Sequence, residues 1–341
     1  MAVRRRSALT LVLLLLSLAA SCSRARSSDA TSEYEALALR YQGQSGVVTF
    51  PELAEDLGYL SPLELVYVGN TISGPQDIQT VATGDIEFGL AFNGALLKLL
   101  AARAPIKAVV GGYGIDQQTF SSFLVREESQ IRSVRDLIGK QVAVNTLGAH
   151  SEFVLREQLR RQGLSETEAK KVTLVVLPPV NTEQSLREKQ VDAAALIGIF
   201  RDKALERGGL RQLFSDYELF GEFTAGSYAF HRSFVEKHPR TVRKFVDGVA
   251  RAIEWARSAP RETVIARHEA IIRRRKRNEN TALVKHWKST GIAGKGGLIA
   301  ERELQIWLDW LVRDKELAPG QLVLSEVYTN EFNPFRRVAR P

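Results

Sequence analysis

Ser133-Val134-Arg135-Asp136-Leu137-Ile138-Gly139-Lys140-Gln141-Val142-Ala143-Val144 is the stretch on which the fold turns. Ser133 reads as the N-cap of a short helix running to Ile138, and Gln141 to Val144 reads as a strand. The same strand–helix alternation extends in both directions. Upstream, the apolar runs Leu37–Tyr41, Leu63–Val68, Ile86–Phe92 and Ile106–Val110 read as strands, separated by helical stretches at about 46–58, 75–83 and 94–102. Downstream, Ser151–Gln162 reads as a helix stopped by Gly163, Val172–Leu177 as a strand stopped by Pro178-Pro179, Thr182–Lys189 as a helix and Ala193–Ile197 as a strand. Ser121–Val125 and Ala225–Phe230 add further strands. Such alternation predicts parallel strands covered by crossover helices. From Arg240 onward the chain reads as almost wholly helical and holds all four tryptophans.

With 341 residues, 44% hydrophobic and 25% charged, the chain has the composition of a globular protein, not of a disordered or collagen-like one. The length suffices for two domains. A single Cys excludes an intramolecular disulfide framework and a Cys-cluster zinc site. The formal charge of +8 raises nucleic acid as a partner, but the N-terminus changes that balance. Arg4-Arg5-Arg6 precede an apolar run, Ala8 to Ala20, of the length of a signal-peptide core and too short to span a bilayer. The run ends Leu18-Ala19-Ala20-Ser21-Cys22, which resembles a bacterial lipobox. Residues 1–21 are thus expected to be a lipoprotein signal peptide, with Cys22 the lipidated N-terminus, and residues 22–32 a flexible tether. Removing 1–21 takes away three arginines and no acid, so +8 falls to +5. Nucleic acid is not expected as a partner.

Three segments carry a family resemblance. Gly84-Asp85-Ile86-Glu87-Phe88-Gly89, the 133–144 stretch, and Leu177-Pro178-Pro179 with Glu183 and Val191-Asp192-Ala193 resemble, in order and spacing, segments of type II periplasmic binding proteins. The nearest branch serves ABC importers of sulfonates, taurine, nitrate and thiamine-precursor pyrimidines. The likeness covers about 35–260 and, more loosely, the remainder. It implies an α/β, two-lobed type II periplasmic binding protein fold with mixed, mainly parallel sheets and a helical C-terminal section. Lobe 1 would comprise 33–118 plus 226–341 and lobe 2 would comprise 119–225, closing on a small solute. It also implies a partner ABC permease, no cofactor and no catalytic or metal residue. The expected protein is a monomer on the periplasmic side of the cell envelope, held to a membrane through lipid at Cys22. A sensor or adaptor using the same cleft, or an enzyme on this fold, are the competing readings.

Ligands in open α/β sheets sit beyond the carboxyl ends of strands, which nominates contact residues. After the first strand come Gln42, Gln44 and Ser45. Ser73-Gly74 precede Pro75, a residue suited to a first helical turn. Asn93 lies just beyond the third strand. In the second unit, Thr146, Gly148 and His150 form the matching loop, with Gly198 and Tyr228 added. Each also has a structural reading, as turn, cap or core. These loops contain almost no Lys or Arg, so helix N-termini would have to take the place of a cationic clamp for an anion. The five histidines lack zinc-ligand spacing, and neither a Walker pattern nor a G-x-S-x-G elbow occurs. Gly294-Lys295-Gly296-Gly297 reads as a flexible loop. The basic run Arg273-Arg274-Arg275-Lys276-Arg277 reads either as a solvated helix end or as a patch facing anionic lipid or an acidic partner.

Overall fold

In a computed structural model that describes residues 33–336, the alternation becomes strands β1 (Ala38–Gly43), β2 (Glu64–Asn70), β3 (Phe88–Phe92), β4 (Ile106–Ile115), β5 (Ser121–Arg126), β6 (Gln141–Val144), β7 (Thr173–Val176), β8 (Ala193–Ile197), β9 (Leu210–Ser215) and β10 (Phe223–His231). The helices are α1 (Phe50–Asp56), α2 (Gly74–Thr83), α3 (Asn93–Ala101), α4 (His150–Arg161), α5 (Glu166–Ala169), α6 (Pro179–Arg187), α7 (Gly198–Glu206), α8 (Asp216–Phe220), α9 (Arg232–Lys237), α10 (Pro239–Ser258), α11 (Arg261–Arg275), α12 (Arg302–Arg313) and α13 (Leu324–Val327). The expected signal peptide and tether, with Cys22, lie outside the described residues. No described helix is long and apolar enough to cross a membrane.

The first lobe holds the parallel pair β1-β2 and the sheet β3-β10-β4; the second holds the sheet β7-β6-β8-β5-β9. Pairing is parallel between β1 and β2 and between β6 and its neighbours β7 and β8. The strands next to the crossings run the other way: β10 is antiparallel to β3 and β4, and β5 to β8 and β9. The expected parallel pairing is therefore confined to the inner β–α units, because a strand arriving from the other lobe enters its sheet from the opposite end. Strand β9, Leu-Arg-Gln-Leu-Phe-Ser, is an addition to the sequence reading. It is an edge strand held only by β5, so polar Arg211 and Gln212 interrupt its apolar pattern.

Helix α10 buries Val242, Phe245, Val246, Val249 and Ile253, a stripe at helical spacing. Helix α12 sends Trp307 and Trp310 into the first lobe's core. Phe153 of α4 joins that core: its ring lies 4.3 Å from Trp310 and 5.1 Å from Phe92. Phe153 thus carries α4 into the first lobe's aromatic core. Gly94 makes room for it, since a Cβ there would stand 2.9 Å from the Phe153 ring.

The C-terminal section is less helical than its sequence suggests. Helix α11 ends where Lys276 turns left-handed (φ 50°), and residues 277–300 are irregular apart from two 3-10 turns, Val284–His286 and Lys295–Gly297. The second of these corrects the flexible-loop reading of 294–297. Gly296 and Gly297 are buried, and Gly297 packs against β4, where a Cβ would stand 2.8 Å from the Gly111 carbonyl oxygen.

Candidate functional site

Two recesses open at the strand ends, one in each lobe. The first lobe's recess, about 310 Å³ including its open mouth, is lined by the ends of β1 and β2, the start of α2 and the middle of β3. Gln42, Gln44, Thr71 and Asp77 are among its polar lining residues, with Tyr41, Phe88 and Tyr228 supplying rings. Asp77 occupies the first turn of α2 and is 3% exposed. Its Oδ2 accepts the Leu90 N–H at 2.7 Å, while Oδ1 is buried without a partner. Burial pushes this carboxyl up from 3.8 to about 7, against the opposing pull of the Leu90 N–H. Gln42 Oε1 is likewise buried and unpartnered. Burial also drives the Tyr228 hydroxyl upward, with the Phe50 N–H and the Thr49 side chain beside it.

Behind this recess lies a buried ionic cluster. Glu52 of α1 closes a capping box with Thr49, accepts the Tyr41 hydroxyl at 2.7 Å, and pairs with Arg275 at 3.0 Å and Arg277 at 2.8 Å. Arg277 lies 3.5 Å over the Tyr67 ring. Arg275 also pairs with Glu279, Arg274 with Asp56, and Arg273 with Glu269. The basic run is thus divided: Arg273 and Lys276 are exposed at the helix end, while Arg274, Arg275 and Arg277 are paired and clamp the end of α11 onto α1 and β1.

The second lobe's recess, about 240 Å³ including its mouth, is bordered by Asn145, Ser151, Pro179, Thr182, Leu196, Ile197 and Phe200, among others. Those residues belong to the first turns of α4, α6 and α7 or to the strand ends that feed them. None of the three helices has a side-chain cap, whereas α1, α5 and α8 close theirs with capping boxes. Uncapped N-termini present backbone N–H groups and the positive end of the helix dipole. Leu147, Val180 and Ile197 are exposed apolar side chains at these strand ends, and Ile72 is their counterpart in the first lobe.

Of the residues nominated from sequence, Gln42, Gln44 and Tyr228 line the first recess. Ser45 is exposed nearby in the turn after β1. Ser73 caps α2, accepting the Gln76 N–H at 3.4 Å. Gly74 allows α2 to abut β3, where a Cβ would stand 2.8 Å from Ala91 Cα. Asn93 is fully buried and ties β3 to β10, donating to the Thr224 carbonyl at 3.0 Å and accepting the Ser227 hydroxyl at 2.8 Å.

In the second lobe the recess is lined by neighbours of the nominated residues. The half-exposed Thr146 hydroxyl only grazes the Leu147 carbonyl at 3.5 Å. Gly148, left-handed at φ 69°, donates its N–H to Glu152 at 2.9 Å. Gly198 spends its N–H on the Phe120 carbonyl at 3.2 Å. His150 stacks on Phe92 and places Nε2 3.2 Å from Asp216 Oδ2, off the direction of a good hydrogen bond. Asp216 accepts the Ser121 N–H, so His150 faces the crossing between lobes. Asp77 was missed because an acid in a first helical turn reads as ordinary dipole compensation. Its one sequence signal is Gly89, where a Cβ would stand 2.9 Å from Asp77 Oδ2.

A family model described as NMT1/THI5 like matches residues 53–263. The chain belongs to the NMT1/THI5-like family. Within that family's reach by sequence is an Escherichia coli (strain K12) protein named "Putative aliphatic sulfonates-binding protein", 28% identical over 220 residues, 64% of this chain and 65% of that protein. The chain therefore spans a little under two thirds of that relative's length. Solved structures give the fold of this NMT1/THI5-like chain. The alkanesulfonate-binding protein SsuA from Xanthomonas axonopodis pv. citri bound to MOPS superposes with a TM-score of 0.67 at 20% identity, over 86% of this chain and 99% of that one. The nitrate-binding protein NrtA from Synechocystis PCC 6803 gives 0.67 at 10% identity over 88% of each. The fold is that of the periplasmic binding proteins.

Proposed function

We propose that this chain is the solute-binding component of an ABC importer, that it makes and breaks no bonds, and that it takes a small organic anion of sulfonate type between its lobes. The observation that carries the reading is the convergence of three uncapped helix N-termini on one recess of the second lobe. Backbone N–H groups and helix dipoles hold an anion without Lys or Arg. The exposed Leu147, Val180, Ile197 and Ile72 at the rims favour an organic body over an inorganic ion, since exposed apolar groups clustered at strand ends gain by covering carbon. The name of the Escherichia coli relative points the same way. The loaded protein would close its lobes about the crossings near 116–120 and 216–222 and present the solute to a membrane permease, with lobe limits near 33–118 plus 223–341 and 119–222.

Thermal-shift screening tests this. Stabilisation by alkanesulfonates is expected; stabilisation by sugars or peptides alone would overturn the reading. We further propose that Cys22 carries the lipid that holds the protein to the envelope. Cys22→Ala should move it from the membrane fraction to the soluble fraction, and continued membrane partitioning would refute the anchor.

A further inference from the structure

Where the chain enters the first lobe decides which side of that lobe can meet a membrane; the inference rests on reading Cys22 as the lipidated residue. Glu35 is fixed at the start of α10, where its carboxylate pairs with Arg240 at 2.9 Å and accepts the Thr241 N–H at 3.0 Å. The Ala36 N–H donates to the Thr241 hydroxyl at 3.1 Å. Cys22 stands thirteen residues before Glu35, so the covalent chain keeps its lipid within about 45 Å of that point. The surface around the point is basic. Arg232 and Lys237 of α9 and Arg243 of α10 are exposed, Lys244 is half-buried, and the one acid of this stretch is exposed Glu236. Further along α10 the cations are paired within the helix, Arg251 with Asp247 and Arg257 with Glu254. Among the described residues Arg232, Lys237, Arg243 and Lys244 form no ion pair, and Arg243 lies over the Phe332 ring at 5.2 Å. The first turn of α10 holds no acid of its own, although the helix dipole favours acids there and disfavours cations. We propose that α9 and the first turns of α10 are the face that rests on anionic phospholipid headgroups, with Arg232, Lys237, Arg243 and Lys244 supplying the charge.

Charge and reach agree. Each Lys or Arg near an anionic bilayer surface adds to attraction, and a short covalent link to the same bilayer raises the effective concentration of that surface. An acidic protein would satisfy the same cations, but only the lipid surface is held within reach by the chain itself. The docked orientation also suits solute capture. Strand β1 starts beside the basic face and runs to Gln42 and Gly43, where Gln42 lines the first-lobe recess. Its six residues span about 20 Å, so the recess stands off from the headgroups at the far end of the strand.

Lysine acylation, mapped by mass spectrometry, tests the face. The protein purified from membranes is reconstituted through its own lipid into phosphatidylcholine vesicles, and into vesicles with phosphatidylglycerol as about a third of the lipid. Lys237 and Lys244 should react about fivefold more slowly on the anionic vesicles than on the neutral ones. The exposed Lys140 and Lys189 of the second lobe should react alike on both. Raising the salt to about 1 M should abolish the difference. Arg232→Glu combined with Arg243→Glu should abolish it as well, with native reactivity at Lys140 and Lys189 showing that the variant folds. Equal rates at Lys237 and Lys244 on the two vesicles, or slowing shared by Lys140 and Lys189, would overturn the docking face and leave the anchor standing. Failure of the protein to stay on neutral vesicles would refute the anchor at Cys22, and the docking face with it.

Discussion

The two recesses are built from opposite materials. In the second lobe the open groups are donors, backbone N–H groups at helix starts that no side chain has capped. In the first lobe they are acceptors, one carboxyl oxygen and one amide oxygen shut away from water. The contrast within the first lobe is equally informative. A few residues behind the open acceptors, Glu52 is satisfied by a tyrosine and two arginines. The chain pairs buried charge where it builds a wall and withholds the partner where it builds a mouth.

That contrast is open to breaking. The largest effect should come from the wall. Arg275→Ala removes one partner from a buried ionic cluster, and such losses cost about 3–5 kcal/mol. Urea unfolding at pH 7 should show a midpoint shift of that size, and an unchanged midpoint would mean that the wall does not depend on pairing.

Next is the mouth, where the sign reverses. Folded Asp77 keeps its proton up to about pH 7, against 3.8 for an unburied aspartate. Protonation therefore favours the fold, and stability contributed by this group falls as pH rises from about 4 through 7. Asp77→Asn has no proton to lose. It should stabilise the ligand-free protein by about 2–3 kcal/mol at pH 8, with the gain fading toward pH 4. Urea curves at the two pH values check this, and a pH-independent gain would deny the carboxyl its buried, unpaired state.

The smallest effect belongs to the second lobe. Ile197→Asp places a side-chain cap on α7 and should stabilise the ligand-free protein by about 0.5–1 kcal/mol. Its charge should weaken propane-1-sulfonate binding about tenfold. Titration with unaltered affinity would remove the α7 terminus from the anion site.

Much of the fold was legible because β–α alternation is a matter of local periodicity: Gln141–Val144 and Ala193–Ile197 are strands at the limits their apolar runs suggest. Strand direction is not local. Nothing in Ser121–Val125 or Ala225–Phe230 tells that each enters its sheet against its neighbours, and the irregular 277–300 depends on glycine-to-backbone contacts across the molecule. In the candidate site, Gln42 and Tyr228 were reachable from strand ends. Asp77 was not, because its burial arises only when α2 packs against β3 and β10, a tertiary contact that local periodicity does not encode. Arg274, Arg275 and Arg277 show the converse: within a run that reads as a patch they form a clamp, because their acidic partners Glu52 and Asp56 lie more than two hundred residues earlier.

The most direct measurement is native mass spectrometry of the protein purified without denaturation, followed by identification of whatever small molecule it carries. We predict a single small organic adduct bearing an acidic group. A sugar or a peptide would contradict the reading of the second lobe's recess as an anion site.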